Sequence, residues 1–142
     1  MTTLDRVLPQ ALLAVSCGLL LWGLLGLAEY VAPSLGFGLQ DEAFPDGLQF
    51  LHFFAIAVTG AVFGVGYLAR WQATRHATIT MYAVLAAICF VETIDFGAFG
   101  GGATGVMIML GEFVLYAALS TYLLRSDAMR RRFAEADPGA GA

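Results

Sequence analysis

Long apolar runs alternate along this chain with short stretches of glycine, proline and charge. A membrane-spanning helix takes about 20 mostly apolar residues. Four runs meet that length: residues 7–31, 48–68, 77–96 and 105–124. In hydrocarbon each backbone N–H and C=O must be satisfied within its own segment, so each run is predicted to be a helix. The connections are unequal. Residues 32–47 form a longer loop with Pro33, Gly36, Gly38 and Pro45. Residues 70–76 make a short basic turn, and 97–104 a tight one whose glycines supply the positive φ values of a reversal. Short connections place successive helices side by side and antiparallel. The expected fold is therefore an all-α integral membrane protein, with four transmembrane helices in an up-down-up-down bundle over residues 1–126. Residues 127–142 are expected to be a short flexible tail.

Composition agrees. Hydrophobic residues make up 59% of the 142 positions and charged residues 13%, with a mean hydropathy of +0.77. A soluble domain carries about a quarter charged residues. The net charge of −4 argues against nucleic acid as a partner. All seven basic residues are arginine: Arg6, Arg70, Arg75, Arg125, Arg130, Arg131 and Arg132. They flank the helix ends on one side, whereas Asp41, Glu42 and Asp46 lie on the other. The positive-inside rule then puts both termini in the cytoplasm of a multi-pass protein in a bacterial-type inner or plasma membrane. The arginine run near the C-terminus reads as a topology anchor. The first apolar run is too long for a signal peptide and is expected to be a retained helix. Cys17 and Cys89 lie in apolar runs and read as buried structural thiols. No internal repeat suggests an inverted-repeat transporter.

Small residues add a packing signal. Gly60, Gly64 and Gly66 share the second run, and Gly18, Gly23 and Gly26 the first. Such spacing lets helix backbones approach closely in lipid. It also suits association, either as a homo-oligomer or with other membrane subunits.

Ionisable groups inside the apolar runs carry the functional question. Glu92 and Asp95 are three residues apart and share a helical face with Tyr82 and Cys89. At 1.5 Å per residue, Glu92 lies about 7 Å and Asp95 about 3 Å inside the outer boundary. By the same rise, His52 lies about 6 Å in and Glu112 about 10 Å. Glu112 aligns with Met109, Tyr116 and Ser120. Glu29 stands near the outer end of the first helix. Asp41, Glu42 and Asp46 would complete an electronegative outer mouth with it. No arginine is near enough to neutralise this group. What remains is His52 as a cation, protons on the carboxyls, a bound cation, or a basic group from a partner.

Several readings follow. His52, Glu92, Asp95 and Glu112 could ligate a divalent metal, since imidazole with carboxylates suits Zn, Mn or Fe. They could bind protons alone. The carboxyls could instead be neutral glue between helices, bonded to Tyr30 or Tyr116. His52 could be a packing residue, or the axial ligand of a haem or chlorophyll-type pigment flanked by Phe50, Phe53 and Phe54. A di-iron centre needs more Glu-x-x-His pairs than this chain offers. There is no P-loop, no HExxH, no nucleophile elbow and no cysteine pair, which leans against an enzyme. Two functions stay open. One is a small ion-handling protein that binds or conducts a proton or divalent cation. The other is a non-catalytic subunit of a larger membrane complex, holding a pigment through His52.

Overall fold

The structure, a computed structural model, describes residues 3–40 and 44–134. Those residues are all-helical, with five α-helices and no strand. They are α1 (Thr3–Val31), α2 (Asp46–Leu68), α3 (Thr74–Phe96), α4 (Gly102–Arg125) and α5 (Asp127–Ala134). The first four are long and apolar enough to cross a membrane. Their observed ends fall within about one turn of the expected ones, because each sits where the apolar run meets a helix-stopping residue. α1 packs on α2, α2 on α3, and α3 on α4.

Local chemistry explains the boundaries. Asp46 lies in the first turn of α2, where a negative charge meets the positive end of the helix dipole. α2 ends in a reversal closed by the Trp71 N–H donating to the Gly66 carbonyl at 2.9 Å. Arg70 takes the left-handed position there at φ 53°, which glycine usually fills. Between α3 and α4, Gly97, Gly100, Gly101 and Gly102 all have positive φ, so the expected glycine turn is real.

The glycines also set how close α1 and α2 come. A β-carbon on Gly60 would collide with the Ser16 carbonyl and the Leu20 backbone nitrogen. One on Gly26 would enter the Phe53 ring, and one on Gly23 would meet the Ala57 backbone. Gly66 gives room to Thr74, which is fully buried. Gly18 and Gly64, grouped with them in the sequence, have no neighbour at that distance. Only part of each glycine series is therefore a contact face.

Two apolar clusters hold the helices together. One joins Ala55 and Ile56 of α2 to Leu85 and Ile88 of α3. The other joins Leu12, Phe63, Tyr82 and Leu123 to Met129 and Phe133 of α5. This corrects the expectation for the tail. Residues 127–134 form a helix whose Met129 and Phe133 are 1% and 3% exposed, while 135–142 lie outside the described residues. The cause is local. Ser126 precedes the helix and its Oγ accepts from the Met129 N–H at 3.4 Å, an N-cap. Met129 and Phe133, four apart, then present one apolar edge to the bundle. The arginines do more than mark topology. Arg75 donates to the Leu123 and Leu124 carbonyls at 2.7 and 2.8 Å. Arg132 donates to the Tyr67 carbonyl at 3.0 Å, and its guanidinium lies 4.1 Å from the Tyr67 ring centroid. Both satisfy carbonyls that a helix end leaves open.

Three substitutions test this packing. Gly60→Ala should lower unfolding stability in detergent by about 1–3 kcal/mol, the cost of overpacking against backbone. Gly18→Ala, with open space around it, should not lower it. Phe133→Ala should cost about 3–5 kcal/mol if α5 is part of the core. A change within error would mean that α5 does not hold its place.

Candidate functional site

The contact of α2 with α3 brings two of the intramembrane groups together. His52 stands in the second turn of α2 and Glu92 one turn before the end of α3. His52 Nδ1 lies 2.6 Å from Glu92 Oε1. That is the short separation of a charge-assisted hydrogen bond. The Glu92 side chain is 11% exposed and the His52 side chain 32%. The carboxylate is thus inside, and the ring spans the edge of the bundle. Its other nitrogen, Nε2, has no hydrogen-bond partner among the described residues.

Beside this pair lies a cavity of about 310 Å³. His52 and Glu92 line it, and so does Glu112 of α4. Tyr82 and Tyr116 also face it, stacked with centroids 5.5 Å apart and ring planes 16° apart. The Cys89 thiol is buried next to the Glu112 carboxyl and the Thr93 hydroxyl. No arginine lines the cavity among the described residues. The rest of the wall is apolar. The space therefore holds an imidazole, two carboxyls, two phenols and a thiol in low-dielectric surroundings.

Other residues singled out in the sequence lie elsewhere. Asp95 is exposed and does not line the cavity, although it follows Glu92 by three positions. It stands at the last turn of α3, and its rotation about the helix axis carries it off the buried side. Glu29 is 4% exposed and is engaged by the segment that follows α1. Its two carboxylate oxygens accept the Gly38 and Leu39 N–H groups, each at 2.7 Å. It holds residues 38 and 39 against the end of α1. Gln40 ties the same loop to α1 by donating to the Gly26 carbonyl at 3.0 Å. Asp46 is exposed at the start of α2, and Asp41 and Glu42 lie outside the described residues. Tyr30 packs its ring against Phe50. Cys17 is exposed, which corrects the expectation that both thiols are buried.

The metal expectation finds no ligand set. Among the described residues, no three His, Cys, Asp or Glu side chains converge closely enough to hold a metal ion. His52, Glu92 and Glu112 share a cavity, not a coordination point.

Sequence reasoning missed the contribution of α1. Val15, Leu19 and Trp22 close one wall of the cavity. Their spacing of four and three residues is a helical face, and the tryptophan in a leucine-rich run is the signal that could have found it.

Comparison with known protein families, with curated proteins and with solved structures finds no match to this chain.

The Glu29 assignment has its own test. Glu29→Ala should remove both amide contacts and speed hydrogen exchange at Gly38 and Leu39 by about tenfold or more, the loss of two charge-assisted bonds. Unchanged exchange would show that the loop is held by other contacts.

Proposed function

We propose that this chain is a small multi-pass membrane protein that binds and relays protons at a His52–Glu92–Glu112 site. In this reading its four long helices run up-down-up-down in a bacterial-type inner or plasma membrane. Both termini are cytoplasmic, as the arginine distribution favours. The site then lies in the outer half of the bilayer. The observation that carries the proposal is the 2.6 Å His52–Glu92 contact beside a cavity shared with Glu112. Ionisable groups inside membrane bundles are costly and mark ion or proton pathways. Among the described residues no guanidinium lines the cavity to neutralise the carboxyls. A proton is the charge that imidazole and carboxyl can exchange across one short hydrogen bond. Among the described residues no three ligating side chains converge, which favours the proton over a divalent cation.

A second reading has one observation behind it. A carboxylate on Nδ1 is the arrangement that orients a histidine for ligation through Nε2. His52 has that arrangement, so a pigment-holding subunit remains a rival. The cavity of about 310 Å³ is at the small end for organic ligands. A tetrapyrrole would therefore have to sit mainly at the bundle surface, against a partner subunit.

The test is proton flux. Purified protein in liposomes, driven by a potassium diffusion potential, should acidify a trapped pH dye. Glu92→Gln and Glu112→Gln should each slow this by about tenfold or more, as loss of a proton-transfer group does. Asp95→Asn should leave the rate near wild type. Flux equal in all variants, or no flux above empty liposomes, would sink the proposal. A Soret or Q-type band in the purified protein that vanishes in His52→Ala would favour the rival.

A further inference from the structure

The walls of the cavity say more than that it handles charge. Two carboxyls, Glu92 and Glu112, supply negative character, and no arginine cancels it among the described residues. Three aromatic side chains, Trp22, Tyr82 and Tyr116, line the same space. Aromatic faces attract cations, most strongly when water is excluded. The remaining wall is aliphatic. Tyr82 is only 7% exposed and stacks on Tyr116 where both line the cavity.

An inorganic cation stripped of its water does not match this wall. It would need several converging oxygens, and three ligating side chains do not converge here. A cation whose own surface is apolar does match. Its charge is met by carboxylate and aromatic faces, and its alkyl groups by the aliphatic wall. The volume of about 310 Å³ limits it to a small molecule.

We infer that the cavity bounded by Glu92, Glu112, Trp22, Tyr82 and Tyr116 binds a small lipophilic organic monocation, of the quaternary ammonium or protonated tertiary amine class. This rests on reading the cavity as a site for positive charge. It adds that an organic cation and a proton compete for the same carboxyls. When the cation enters, a carboxyl O–H gives its proton to water, and the carboxylate that remains faces the ammonium. When the cation leaves, the proton returns.

The probe is benzyltrimethylammonium, set against neopentylbenzene, its uncharged carbon isostere. Trp22 fluorescence is read in a Trp71→Phe background, since Trp71 is exposed in the turn between α2 and α3. The ammonium should change Trp22 emission saturably and release protons into weak buffer. The isostere should bind at least about tenfold more weakly, because the cation–aromatic and carboxylate attractions are lost. Glu112→Gln should weaken ammonium binding by about tenfold or more and reduce the proton release. Equal binding of ammonium and isostere overturns the inference without relying on any variant. So does wild-type affinity in both Glu112→Gln and Glu92→Gln. Absence of saturable binding, with proton flux in liposomes intact, overturns this inference and leaves the proton relay standing. Absence of both removes the relay as well.

Discussion

A charged group taken out of water must be met by a partner, and that demand places the buried ionisable side chains of this protein. It is answered in three ways. Glu29 is met by the Gly38 and Leu39 amides. The guanidiniums of Arg75 and Arg132 are met by carbonyls at the ends of α4 and α2. Glu92 is met by His52. The first two solutions are structural, because each also satisfies backbone groups that a helix end or loop would leave open. The third is different. There the carboxyl meets another titratable side chain and not a backbone group.

Helix packing decides that His52 reaches Glu92 at all. The close approach of α1 and α2 at Gly23, Gly26 and Gly60 lets Phe53 lie against α1. That packing fixes the rotation of α2 one residue from His52. The same approach brings Trp22 and Leu19 over the cavity. The glycines and the polar site are thus one construction, and the packing of α1 on α2 sets the shape of the space beside the carboxyls.

The arginine-bearing end of the bundle is built on another principle. There α5 turns back after Ser126, and Met129 and Phe133 complete an apolar cluster with residues of all four long helices. Arg132 reaches the end of α2 from α5, so the short helix is tied both by burial and by charge. Elsewhere the long helices present large apolar side chains outward, among them Leu21, Phe54, Ile94, Met107 and Val114. Such a surface is at home in hydrocarbon and would be a liability in water.

The four long helices were legible in the sequence because length and hydropathy are enough to mark a helix that can satisfy its own backbone in lipid. The glycine turn at 97–102 was legible for the same kind of local reason, and so was the set of polar residues from which a site had to come. The capped start of α5 was also written locally, at Ser126. The partnerships were decided only by tertiary structure. Glu92 meets a histidine forty positions away, Asp95 turns outward, and Glu29 is claimed by a loop. In a soluble protein the apolar stripe of a helix points to the core and fixes its rotation. In a membrane bundle the lipid is as apolar as the interior, so hydrophobicity does not say which face is inside. Periodicity places Glu92, Cys89 and Tyr82 on one face of their own helix. Which helix that face meets is settled by close packing at glycines and by the search of each buried charge for a partner.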